Sequence, residues 1–179
     1  RIKFANNEVV VSEEREESGV DIFVAIRERR AAISVDGLKL RNIWDAVRQA
    51  VQLAKLSEPA DIYAPLPRGP FKYDRKLLRA ARINGEPERL VDAVEAAINS
   101  ALAEGAVRVA GTLVHSGGRY WLRTSGGAYG AYEDSSIEIS VRAFASDDAS
   151  GQFVSVAARE EDFRPEEAGR IAGEHARLA

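Results

Sequence analysis

Ile137-Glu138-Ile139-Ser140-Val141-Arg142-Ala143 places apolar residues at every second position, and 117 residues earlier Val20-Asp21-Ile22-Phe23-Val24-Ala25-Ile26 does the same. Period-two alternation puts one set of side chains on a buried face and the other on the opposite face. A second strand follows each stretch: Ala31, Ile33 and Val35 in the first, and residues 153–158 in the second. An alanine-spaced helix closes each, with Ala46, Ala50 and Ala54 answering to Ala168, Ala172 and Ala176 at an offset of 122. Two readings account for the match, a structural repeat or chance agreement among β-branched residues. The repeat predicts one α+β domain over residues 1–179. Its two related strand-strand-helix units (1–56 and 107–179) are joined by a Pro-rich connection (57–86) and a helix (87–104). The sheet is expected to be mixed but mainly antiparallel, with helices on one side, because the short turns suit hairpins and parallel pairing needs longer crossovers.

Working outward, Asn6-Asn7 marks a turn. Glu13-Glu14-Arg15-Glu16-Glu17 is polar on both faces and reads as an exposed ribbon or turn. In residues 41–56, Ile43, Trp44, Val47, Ala50, Val51 and Ala54 recur at helical spacing and predict a buried stripe. Pro59, Pro65, Pro67 and Pro70 exclude a continuous helix or inner strand from the connection, which leaves room for a short helix near Asp74–Ala81. Pro87 suits the first position of a helix and Gly105 its end. Leu90, Val94, Ala97, Ile98 and Ala101 form that helix's buried stripe. Residues 107–159 read as a meander in which Val107, Val109, Gly111, Leu113 and His115 share a face. Ser116-Gly117-Gly118 is expected to turn a hairpin before a short strand at Tyr120–Leu122. After the bend at residues 124–127, a long strand runs over Tyr129–Ala145, a turn follows at residues 147–151, and the last helix starts at Pro165.

Composition bounds the function. The 179 residues are 45% hydrophobic and 30% charged, with a net charge of −3, ordinary for a soluble protein and too weakly charged to steer toward nucleic acid. Without cysteine there is no disulfide, thiolate zinc site or cysteine nucleophile. No apolar run approaches a membrane span and no signal-peptide pattern opens the chain, so a cytoplasmic setting is expected. The chain opens on Arg1 and has no methionine, which suggests part of a longer protein.

The residues themselves point to no catalytic, cofactor-binding or metal site. His115 and His175 lie in different elements, outside any zinc spacing, and a catalytic zinc typically takes three protein ligands; both read as half-buried structural histidines. Gly126-Gly127-Ala128-Tyr129-Gly130 precedes a strand, whereas a phosphate loop needs a helix, so it reads as a bend or bulge. The acidic pairs Glu133-Asp134 and Asp147-Asp148 and the run Glu160-Glu161-Asp162 read as solvated turns. Arg68, Lys72, Arg75, Lys76, Arg79 and Arg82, interleaved with Phe71 and Tyr73, form a basic cluster that could meet an acidic partner.

Ser18-Gly19-Val20, Asp36-Gly37-Leu38 before an alanine-rich helix, Arg123-Thr124-Ser125-Gly126-Gly127 before a long strand, and Asp162-Phe163 before the closing helix together resemble the N-terminal domain of the TldD/PmbA family, the modulator-of-gyrase-type metalloproteases. The resemblance implies a two-domain cytoplasmic parent. TldD-type members carry an H-E-x-x-x-H zinc motif beyond this domain, and PmbA-type (TldE) partners lack it. Paired subunits enclose the peptide-cleaving site. No H-E-x-x-x-H occurs here, so the resemblance implies a non-catalytic part, with zinc in the C-terminal part of the parent. The implied partners are a homologous subunit, in a homo- or heterodimer, and a peptide substrate. The residues alone leave open a stand-alone binding or scaffold module and a small hydrolase.

Overall fold

In the computed structural model, which describes residues 1–74 and 83–179, the chain forms two units, one of Arg15–Pro67 and one of Arg1–Glu14 with Arg68–Ala179. Their elements in chain order are β1 (Ile2–Ala5), β2 (Glu8–Ser12), β3 (Gly19–Ile26), β4 (Arg29–Asp36), α1 (Leu40–Leu56), α2 (Pro87–Ala103), β5 (Arg108–Arg123), β6 (Tyr129–Phe144), β7 (Ser150–Ala157) and α3 (Pro165–Leu178), with a 3-10 turn at Glu160–Asp162 before α3.

The smaller unit is a hairpin backed by a helix. β3 and β4 pair antiparallel from Gly19↔Asp36 to Ile26↔Arg29. Their two-residue turn puts Arg27 at φ 48° and Glu28 at φ 68°. Two positive φ values in succession match the twist of the flanking strands, but neither residue type is a usual choice there. α1 packs on both strands through Ala46, Ala50 and Ala54. The stripe expected on α1 is rotated. Ala46 is buried, whereas Trp44 is 57% exposed. Three alanines four residues apart let the helix backbone approach the hairpin closely, and a large indole on that line would hold it off.

The larger unit is a five-stranded sheet in the order β2-β1-β5-β6-β7. Every pairing among the described residues is antiparallel, so there no parallel component accompanies the expected antiparallel one. The Asn6-Asn7 turn has φ 51° and 68°. The Asn7 side chain accepts the Val109 N–H at 2.7 Å and donates to the Val107 carbonyl, tying the β1–β2 hairpin to the start of β5. One sheet face carries Ile2, Phe4, Val109, Leu113, Ile137, Ile139, Val141 and Ala143, all buried, under α2 and α3. Val107, expected among them, is 64% exposed, since it precedes the strand and lies outside the buried cluster.

Small residues seat both helices. α2 buries the five residues that its periodicity predicts, and α3 buries Ala168, Gly169, Ala172, Gly173 and Ala176. A Cβ on Gly169 would lie 1.9 Å from the Ala97 carbonyl oxygen, and one on Gly173 2.8 Å from that of Ala101. On the sheet side, a Cβ on Gly151 would lie 2.3 Å from the Ala172 carbonyl oxygen. β6-β7-α3 thus repeats β3-β4-α1 as a hairpin closed by a helix on an alanine ridge, as the sequence alternation implies.

β5 departs from expectation. It runs unbroken through Ser116-Gly117-Gly118, which pair with Ser136, Ser135 and Asp134 of β6. Gly118 leaves room for the Tyr120 ring, 3.0 Å from where its Cβ would be. Gly118 therefore relieves crowding along a strand, and neither glycine reverses the chain. The reversal comes at residues 124–127, where Gly127 has φ 90° and the Ala128 N–H donates to Thr124 Oγ1 at 3.1 Å. The possible short helix near Asp74–Ala81 falls mostly outside the described residues.

Replacing Gly169 by Ala should destabilise the chain by about 1–3 kcal/mol through overpacking, despite the roughly 1 kcal/mol that Ala otherwise gains over Gly in a helix. Gly130→Ala, where a Cβ meets nothing within 4 Å, should stay within about 0.5 kcal/mol of wild type. Urea unfolding of both variants checks the pair.

Candidate interaction surface on the β5–β6 arm

β1 pairs with β5 only as far as Leu113, and β7 pairs with β6 only as far as Ile137. From Ser116 to Ser136 the two central strands therefore continue as a two-stranded arm. Cross-strand pairs hold it. Tyr120 and Tyr132 stack with ring centroids 4.9 Å apart, Arg119 and Glu133 form an ion pair at 2.7 Å, and the hydroxyls of Ser116 and Ser136 lie 2.9 Å apart. The tip is braced by the proline-rich connection, whose Gly69 N–H donates to the Gly126 carbonyl at 2.7 Å.

The arm is apolar where it is exposed. Trp121 is 68% exposed, and Tyr120, Leu122, Tyr129 and Tyr132 are also exposed. Large aromatics grouped on a ribbon with few apolar neighbours mark a contact surface more often than a solvated one. Nothing in this group has the geometry of a catalytic site.

The histidines stay apart from each other's elements. His115, on β5, is half-buried as expected; its Nε2 lies 3.5 Å from Ser135 Oγ, which accepts the Ile83 N–H at 3.3 Å. His175, on α3, is exposed, in contrast to expectation. Its Nδ1 lies 3.4 Å from the Gln152 carbonyl oxygen. The helix turns it past the edge of the sheet while its neighbour Ala176 takes the buried position.

Among the acidic groups, Glu133 and Asp134 point to opposite faces of β6, and Asp147-Asp148 occupy the β6–β7 turn, where Ser146 Oγ accepts the Asp148 and Ala149 N–H groups. Glu160 does more than face solvent: it accepts the Asn84 N–H at 3.0 Å and pairs with Arg89 at 2.6 Å, anchoring the chain as it enters α2. No spacing rule could have signalled this contact between residues 71 and 76 positions apart. Among the described residues, no three His, Asp or Glu side chains cluster as a metal site would require, and no helix is long and apolar enough to cross a membrane. In the basic cluster, Arg75, Lys76, Arg79 and Arg82 lie outside the described residues.

Residues 80–179, more than half the chain, match the model of the PmbA/TldA metallopeptidase central domain. The chain belongs to this family. No curated protein sequence gives a significant match. Solved structures share the fold: a candidate modulator of a DNA gyrase from Thermotoga maritima (TM-score 0.77, 18% identity, 98% of this chain and 40% of that one), TldE from Thermococcus kodakarensis (TM-score 0.77, 17% identity, 99% and 41%), and a candidate modulator of DNA gyrase from Bacteroides thetaiotaomicron (TM-score 0.76, 14% identity, 98% and 42%). The chain thus spans about two fifths of the length of these relatives. The matched family region takes in α2, β5, β6, β7 and α3, including the whole arm.

A Tyr120→Ala, Tyr132→Ala double-mutant cycle should give a coupling of about 0.5–1 kcal/mol for the stacked pair, at the low end of aromatic pair energies because both rings are half-exposed. Chemical denaturation of the four proteins reads it, and a coupling near zero would mean that the rings do not stiffen the arm.

Proposed function

We propose that this chain is a non-catalytic portion of a TldD/PmbA-type zinc metallopeptidase, or of its zinc-free partner, shaping substrate access and subunit contacts for peptide cleavage. The observation that carries this reading is the exposed aromatic arm within the family-matched region. Tyr and Trp are the residues that anchor protein interfaces, because they bury large areas with few torsions to freeze. In this reading the arm meets a homologous subunit, and zinc and its ligands belong to other parts of the assembly. The sequence supports that division, since its two histidines stand outside any H-E-x-x-x-H spacing. The setting is cytoplasmic.

The experiment measures zinc content and peptide cleavage on the full-length gene product, alone and mixed with a homologous subunit. Chelator-sensitive cleavage by one of these preparations is expected, with no zinc retained by the 179-residue chain alone. Trp121→Ser with Tyr129→Ser should weaken subunit association at least about tenfold, the loss of a modest hot spot, with circular dichroism unchanged. Stoichiometric zinc in the chain itself, or association indifferent to both substitutions, would overturn the reading.

A further inference from the structure

The strands that end the sheets differ in how they are protected. β2 has five residues, is bordered by Glu8 and Glu13, and sits opposite a bulge between Lys3 and Phe4. β3 carries Asp21, and β4 carries Arg29, Arg30 and Asp36. The free edges of the arm carry Arg119, Arg123, Glu133 and Asp134. Short length, bulges and charges are the usual devices against unwanted strand pairing. β7 has none of them. Its eight residues, Ser-Gly-Gln-Phe-Val-Ser-Val-Ala over 150–157, contain no charge and no proline. It is the last strand of its sheet; among the described residues no backbone group outside β6 bonds to it, and His175 Nδ1 lies 3.4 Å from its Gln152 carbonyl oxygen, at the Ser150 end of the strand. Val154 and Val156, on the face away from α2 and α3, are 43% and 64% exposed.

We infer that the β7 edge is a docking site for an extended peptide, which adds to the sheet as a sixth, antiparallel strand. Only an extended polypeptide supplies donors and acceptors at the period of an open edge. Antiparallel addition continues the pattern of every pair already in the sheet. Alternate peptide side chains then lie beside Val154 and Val156, which favours apolar, β-branched residues there. The direction also places the peptide's carboxyl end beside Ser150. Arg142 reaches that point: its Nη2 lies 3.3 Å from Ser150 Oγ, and its guanidinium lies 5.3 Å from the Phe144 ring, which Arg108 also covers at 4.5 Å. A carboxylate at the peptide's end, from the terminus or from an acidic side chain, meets this guanidinium. Asp147 and Asp148 in the adjoining turn oppose it, so the charge selects the end of the peptide while the backbone ladder and the valines supply the binding. The inference rests on the peptide-cleaving reading only for where such a peptide comes from, and binding is measured without cleavage, so the two fail separately.

The probe is a fluorescent peptide as long as β7, alternating Thr and Val and ending in Glu, titrated against the chain by anisotropy. Saturable binding is expected. It should weaken at least about tenfold, some 1.4 kcal/mol, in Val154→Lys/Val156→Lys, whose side chains are exposed and whose fold is checked by circular dichroism. It should also disappear when alternate peptide amides are N-methylated. Peptides ending in a free carboxylate, in an acidic side chain with an amidated terminus, or in neither separate the two carboxylate sources, and Arg142→Gln should remove the preference for whichever is favoured. Equal binding by the lysine variant or by the methylated peptide, or no binding up to about 1 mM, a level that already corresponds to only 4.1 kcal/mol, would overturn the inference. So would sedimentation of the chain as a dimer that the lysine variant splits, because a second copy would then occupy the edge.

Discussion

The contact on which the larger unit depends is the approach of α3 to α2, where Gly169 stands so close to the Ala97 carbonyl that no side chain fits between them. Gly173 repeats the contact one turn later against Ala101, and the alanines of α3 settle on the sheet beside Gly151. Dense packing makes such seams sensitive to a single methyl group. The closeness is also why α2 and α3 can share one face of a sheet with five strands. With larger residues on the seam, either the helices would separate and admit water between them, or one would leave the sheet. The smaller unit uses the same device with Ala46, Ala50 and Ala54, and accepts a tryptophan on its outer face as a result.

Given that seam, the rest of the larger unit is left to face outward. The helices cover one face of β1, β5, β6 and β7, while the long central pair outruns both neighbours and becomes the aromatic arm. Inside the sheet, period-two alternation separates buried from exposed residues. On the arm it sets Tyr120 with Leu122 on one side and Trp121 on the other, both open. The family-matched region therefore combines a tightly packed base with a ribbon whose exposed residues are those that interfaces favour. Membership of the PmbA/TldA metallopeptidase family rests on the match over residues 80–179, and the solved relatives add the fold.

Much of this was legible in the sequence because it is periodic. The stripe of α2 and its bounding Pro87 and Gly105, the alternation of β6 and the three-alanine ridges each express a local rule repeated often enough to be read. Sequence and structure part where one residue type serves two purposes. Gly117-Gly118 carries the signature of a turn, yet it lies within a continuous strand, where Gly118 makes room for Tyr120. Trp44 fits an apolar stripe by spacing, but close approach of the helix selected alanine for the inside. Arg27-Glu28 turns a hairpin without any of the residues that announce one. The arm went unrecognised because its exposure depends on where β1 and β7 stop pairing, and strand length relative to neighbours is a property of the assembled sheet. Glu160 has no partner in its own stretch of sequence, because Asn84 and Arg89 are brought to it only by the fold.

The pairing of Ile2 with Leu113 also imposes an order of events. β1 is made before β5, and the strand that accepts it follows more than a hundred residues later. Until then Ile2 and Phe4 have no core to enter. In the intervening β3-β4-α1 unit β3 pairs with β4 across a two-residue turn, and such local contacts close early. The β1–β2 hairpin is therefore the natural latecomer of this chain. While it waits, β5 takes the edge place that β2 holds in the finished sheet, with its side at Gly111–Leu113 unpaired.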